Sequence, residues 1–169
     1  MDSFKKYFAL LLIFVLSFFS SFIIKNHTSK ITGIEEKWEN PPIVVNCYPF
    51  PHSESRIKKS VDYWIKNNFD IAFYEYKPIK SICKKEHVDG MILIKIARYD
   101  ELGDGVLAFT IRRSRYGKIK SATIYMQFGT FNYPNLLEHE LGHALGLFHV
   151  EEPGHIMHPE YDLLGKRYY

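Results

Sequence analysis

His139-Glu140-Leu141-Gly142-His143-Ala144-Leu145-Gly146-Leu147-Phe148-His149 decides how this chain is read, and Met157 follows eight residues beyond it. The pattern is H-E-x-x-H-x-x-G-x-x-H. On a helix, His139 and His143 stand about one turn apart and project from the same face, so two imidazoles can reach one metal ion. Glu140 lies about 100° further round the helix, beside such an ion but not on it. That is the place for a general base acting on bound water. Gly146 can take a positive φ and end the helix, and the chain then brings His149 back as a third ligand. Three protein ligands leave a fourth position open, as catalytic rather than structural zinc requires. No Cys lies nearby to close the set. His155 and His158 could supply a fourth imidazole, but they flank Met157 and read rather as turn or surface residues.

Beyond the helix the chain continues His149-Val150-Glu151-Glu152-Pro153-Gly154-His155-Ile156-Met157-His158-Pro159-Glu160-Tyr161. With the motif, this spacing from third His through Pro to Met and then Pro-x-Tyr resembles the metzincin clan of zinc metalloproteases, and within it the matrixins. The resemblance is specific over residues 139–161, looser over 89–138, and rests on element order alone over 41–88. It implies one catalytic zinc ion on His139, His143 and His149, with Glu140 as the base. It places Met157 in a tight turn beneath the metal and makes Pro159 and Tyr161 a wall of the S1′ pocket. It also implies that Gly105, Val106, Leu107 and Ala108 form the edge strand that pairs with substrate.

The order of elements agrees with such a domain. Pro41-Pro42 marks its start. Ile43–Tyr48 reads as a strand, and Ser53 or Ser55 caps a helix to about Asn67, with Ile57, Val61, Trp64 and Ile65 on one face. Ile71–Tyr76, Met91–Ala97, Val106–Ile111 and Ser121–Phe128 read as further strands, the Met91 run being apolar enough for an inner strand. Pro134 then opens the active-site helix. The predicted class is α+β (α/β-like): a twisted, mostly parallel five-stranded sheet, a backing helix, an active-site helix and a small C-terminal subdomain. No internal repeat or low-complexity tract is present. With 169 residues, the chain has room for one domain plus appendages.

Tyr7–Ile24 carries no charge and follows Lys5-Lys6. As a helix it would span ~27 Å, close to a bilayer's hydrocarbon core. Residues 1–24 therefore read as a signal-anchor or a signal peptide, 25–40 as a linker and 41–169 as the catalytic domain. The expectation is a membrane-anchored chain with its domain outside the cytoplasm, or a secreted one if the N-terminus is cleaved. Asn26-His27-Thr28 matches a glycosylation sequon. Cys47 and Cys83 could form one disulfide in an oxidising compartment, a pairing that matrixin-like strand order favours, or remain buried thiols. A latency thiolate at Cys47 is a third reading, but Asn46-Cys47-Tyr48-Pro49 lacks the propeptide pattern of the matrixins.

Several departures from the matrixins narrow the reading. Phe109 and Thr123 stand where histidines of a second, structural zinc are expected, so that ion is not anticipated. Asp100, Glu101 and Asp104 could ligate calcium or form a solvated acidic loop. Few residues follow Tyr161, which implies a thin lower lip to the cleft. Arg112, Arg113, Arg115, Lys118 and Lys120 crowd one stretch, read as a solvated hairpin turn or as a docking patch for acidic substrates. The net charge of +3 is too small for a nucleic-acid binder.

The function expected from these readings is hydrolysis of peptide bonds in extended substrates by a monomeric zinc endopeptidase, with Glu140 as general base toward water at the metal. Two alternatives stay open: hydrolysis of peptidoglycan stem peptides by the same chemistry, and a non-catalytic binding module that keeps the zinc fold.

Overall fold

The computed structural model describes residues 36–50, 52–98, 101–160 and 162. The expectations placed on Tyr7–Ile24, Asn26, Asp100 and Tyr161 fall outside those residues.

Strand β1 (Lys37–Trp38) is followed by β2 (Ile43–Asn46), helix α1 (Ser53–Lys66), β3 (Phe73–Glu75), the short helix α2 (Lys80–Cys83), β4 (Met91–Ile96), β5 (Ala108–Arg115), β6 (Lys118–Met126) and helix α3 (Leu136–Ala144). The five main strands lie in the order β3-β2-β4-β6-β5. All neighbours are parallel except the β5–β6 pair. The α+β class with a mostly parallel sheet is therefore as expected. One addition is β1, which pairs in parallel with Lys118 and Ile119 at the start of β6. The sheet thus begins inside the stretch expected to be linker.

Strand alternation sorts the sheet's side chains. Ile92, Ile94, Ala122, Ile124 and Met126 are all fully buried or nearly so, and register puts Ile92 beside Ala122 and Ile94 beside Ile124. Thr110 pairs with Ile124 and Arg112 with Ala122, so these two polar residues of β5 point to the same face. Helices α1 and α3 pack there and against each other. Complete burial of side chains the size of Ile57, Trp64, Leu137 and Leu141 is worth about 1.5–3 kcal/mol each.

Helix α1 buries Ile57, Ser60, Val61 and Trp64. Ile65, expected on that face, is 49% exposed. It lies one residue past Trp64, and that extra rotation carries it off the buried stripe. The cap also differs from expectation: His52, at φ 67°, precedes the helix, and neither Ser53 nor Ser55 caps it. Ser53 is instead drawn inward, accepting from Asn46 Nδ2 and donating to the Tyr48 carbonyl.

The basic stretch is a hairpin whose strands run further toward the turn than expected, to Arg115 on one side and from Lys118 on the other. Strand β5 begins only at Ala108, so Gly105, Val106 and Leu107 precede the edge strand they were expected to form. Tyr116 and Gly117 form a two-residue turn with φ of 54° and 69°. Positive φ at both central positions is the I′ geometry whose twist matches the strands.

Membrane anchoring is corrected at this point. Among the described residues no helix is long and apolar enough to cross a membrane. The longest, α1, has 14 residues and carries Lys58, Lys59 and Asp62 on its solvent side. The anchored localisation and the membrane partner expected at residues 7–24 are accordingly not retained.

Candidate metal centre

Helix α3 has no solvent face: Leu136 to Gly142 are all buried, as is Ala144. Such a helix is fixed by its surroundings rather than by its own propensities. From α1, the Trp64 indole N–H donates to the Glu138 carbonyl at 2.8 Å. Arg56 forms a two-pronged pair with the Glu138 carboxylate at 2.5 and 2.6 Å. Glu138 is 5% exposed, so this is a desolvated fork-to-fork pair directly before the first histidine. Gly142 explains itself by contact: a Cβ there would lie 2.4 Å from Met157 Sδ and 2.7 Å from the Trp64 ring. The helix can approach Met157 and Trp64 this closely only with glycine at 142.

The helix ends as expected at Gly146, with φ of 108°. Gly146 N–H donates to the His143 carbonyl and Leu147 N–H to the Gly142 carbonyl, both at 3.0 Å. These paired bonds form a Schellman turn. The chain outside presses against it: a Cβ on Gly146 would meet the Glu36 carbonyl at 2.2 Å, and the Trp38 indole N–H donates to the Ala144 carbonyl at 2.9 Å.

This frame brings His139, His143 and His149 together. The Nε2 atoms of His139 and His149 each lie 3.0 Å from that of His143, and all three ligand atoms fall within 4.8 Å of one another. Each helical imidazole is oriented from behind. His139 Nδ1 lies 2.9 Å from the Ile156 carbonyl and His143 Nδ1 2.9 Å from the Leu147 carbonyl. A carbonyl can only accept, so Nδ1 carries the proton in both rings and Nε2 is bare. Two bare nitrogens at 3.0 Å have no proton to share. Their closeness fits a shared cation, since tetrahedral zinc bonds of about 2.0–2.1 Å place ligand nitrogens about 3.3 Å apart. Burial pushes the His139 imidazole down to about 3 and His143 to about 4, with neighbouring positive groups adding to the effect. Neutral rings are what metal binding requires. The donor set therefore fits the expected zinc ion. Met157 is fully buried against Gly142.

Glu140 is 5% exposed beside these rings. The Thr110 hydroxyl lies 2.6 Å from its Oε2 and 3.1 Å from its backbone carbonyl. One hydroxyl has one proton, and the shorter contact to the carboxylate takes it. Burial raises the Glu140 carboxyl to about 7, partly offset by the Thr110 bond. A carboxylate whose hold on a proton is raised by burial suits acid–base work.

Glu140 and the three histidines open onto a cleft of about 460 Å³, whose wall is Gly105 to Thr110 with Leu136 and Pro159. The Leu107 carbonyl accepts from Gln127 N–H on the β6 side. Alternation then turns the backbone groups of Ala108 and Thr110 toward the open edge. Of the acidic loop, Glu101 is held by Arg98 and Asp104 is exposed. Cys47 and Cys83 form a disulfide with Cα atoms 5.4 Å apart. It borders a separate cavity of about 500 Å³ lined in part by Tyr48, Phe50, Tyr76 and Lys77.

Sequence reasoning missed Arg56, Trp64, Thr110 and Arg112 as supports of this centre. For Thr110 and Arg112 a signal existed: they continue the period-2 face of the expected edge strand. For Arg56 and Glu138, 82 residues apart, nothing local linked them.

Among known proteins, the pattern of the Matrixin family matches residues 126–168, which include α3, the ligand turn and Met157. No curated protein matches the chain. The likeness to zinc-dependent matrixin peptidases thus covers the segment that carries all three histidines.

Proposed function

We propose that this chain is a zinc-dependent endopeptidase acting on extended polypeptides. The observation that carries the reading is the convergence of three imidazole Nε2 atoms, two of them oriented through Nδ1, with a buried carboxylate beside them, in a cleft walled by an open strand edge. His139, His143 and His149 would hold the metal. Zinc, when bound, would supply Lewis acidity that polarises a carbonyl and acidifies water.

The chain's own groups account for the rest. Glu140 takes a proton from the attacking water and returns it to the leaving amine. Thr110 keeps that carboxylate turned toward the cleft. The outward backbone groups of Ala108 and Thr110 bind substrate as an added strand, which reads backbone shape more than side-chain identity. Val106, Leu107 and Pro159 shape the adjoining wall. The disulfide supports an oxidising compartment as the place of action.

The test uses the full chain. Zinc content and cleavage of a peptide library are measured for wild type and Glu140→Gln. Near one zinc per chain in both is expected, with turnover in the variant lower by about 10²–10⁴-fold, the usual contribution of a positioned base. Zinc in both proteins and cleavage by neither would replace the enzyme with a zinc-holding binding module.

A further inference from the structure

Arg112 and Arg113 are adjacent in the basic hairpin, yet β5 sends them to opposite faces. The Arg113 side chain is 62% exposed and stands 3.9 Å from Glu86. That of Arg112 is 17% exposed and turned toward the end of α3. Its Nη1 donates to the His143 carbonyl at 2.8 Å and approaches the Leu147 carbonyl at 3.4 Å. Its guanidinium lies over the Phe148 ring, 4.8 Å from the centroid. The Leu147 carbonyl is also the acceptor for His143 Nδ1. One planar side chain therefore spans the connection from the second imidazole almost to the third.

A cation this near a metal centre would by itself oppose metal binding. Two features offset it. The carbonyls it meets belong to a helix C-terminus, where positive charge is favoured. The Glu36 carboxylate stands 3.9 Å from Arg112 Nε and accepts from the Ser114 hydroxyl at 2.7 Å. The charge is thus compensated, and one planar group faces the carbonyls through Nη1 and Glu36 through Nε, which the single nitrogen of lysine cannot reproduce.

We propose that Arg112 is a positioning residue of the metal centre: it locks the 143–149 turn so that His143 presents a bare Nε2 and His149 returns to the same point, and it thereby sets metal affinity. This inference rests on the zinc reading above. An arginine that merely stabilised the fold would lower the melting temperature of the zinc-free protein and leave zinc affinity alone.

The experiment measures zinc dissociation constants by competition with a chromophoric chelator, on the full chain, together with zinc-free melting temperatures. For Arg112→Met, zinc binding is expected to weaken about ten- to a hundredfold, the range seen when groups that orient ligands are lost. Arg113→Met should stay within about twofold of wild type, because its side chain points away from the turn. Arg112→Lys and Glu36→Gln should weaken zinc by smaller factors, and they carry the test if Arg112→Met does not fold. Wild-type affinity in Arg112→Met, or in Arg112→Lys where only that variant folds, overturns the proposal; so does equal weakening in Arg113→Met. If wild type itself takes up no zinc, the zinc reading falls. If wild type binds zinc and the Arg112 variants match it, only the role of Arg112 falls.

Discussion

At one end of the sheet, α1 and β5 are joined to α3 and its turn by side chains that reach across the fold: Arg56 to Glu138, Trp64 to the α3 backbone, Thr110 to Glu140 and Arg112 to the ligand turn. At the other end, β3 is three residues long. Phe73, Tyr76 and Ile79 are 57%, 43% and 71% exposed there. What fastens that region is a covalent bond between Cys47 and Cys83. The contrast follows from what each end must do. Ligands have to be held to fractions of an ångström, which takes many directional contacts. A region that only has to stay attached can rely on a cross-link that restricts the unfolded chain.

Removing single groups should break this contrast open, beginning with the greatest loss. Arg56→Met leaves Glu138 buried and unpaired, which should cost about 3–5 kcal/mol of unfolding free energy in urea. On the same helix, the exposed Lys58–Asp62 pair should matter little, and Lys58→Met should stay within about 0.5 kcal/mol. Equal losses would mean that burial does not set the value of these pairs.

Replacing both cysteines with serine should cost about 2–4 kcal/mol, the usual range for a disulfide. Zinc content and turnover should be unchanged at temperatures where the variant stays folded. A drop in either would show that the disulfide region communicates with the centre.

Gly142→Ala drives a methyl into Met157 and Trp64 and should cost about 1–3 kcal/mol by overpacking, with weaker zinc binding because α3 must shift. Gly103→Ala is the control: its Cβ would meet nothing closer than 3.6 Å, so its stability should change by no more than about 0.5 kcal/mol. Least of all, Phe73→Thr on the exposed edge should fall within about 0.5 kcal/mol in thermal or urea unfolding. A large loss there would show that the edge is packed more tightly than its exposure indicates.

The centre's ligands were legible because their spacing is local: one helical turn and one glycine stop relate all three histidines. The main strands were legible for the same reason, since alternation and apolar runs are read within a few residues. Strand β1 was not, because two residues carry no period and their partner, β6, lies some 80 positions away. The sequence groups Arg112 with its neighbours in a solvated hairpin turn or a docking patch. Composition gives adjacent arginines one fate, whereas a strand gives them two. Ser53, like Ser55, reads as a cap because the residue type suits that role. Its hydroxyl found partners in Asn46 and Tyr48 instead, and no local pattern announces such a contact. The membrane expectation rests on the uncharged run of residues 7–24 behind Lys5-Lys6, and no described helix supplies a span.

The burial of α3 on every side has a consequence for transplanting this centre. A peptide carrying residues 136–149 would bring the imidazoles and leave behind what aims them. Free in water it would expose Leu136, Leu137 and Leu141 and, at this length, have little reason to stay helical. A workable graft would need the β5–β6 hairpin, which supplies Thr110 and Arg112, and the segment through Met157, which supplies the Ile156 carbonyl. It would also need an arginine and a tryptophan from a neighbouring helix in the host. The eleven-residue motif is portable as text, but as chemistry it travels only with its scaffolding.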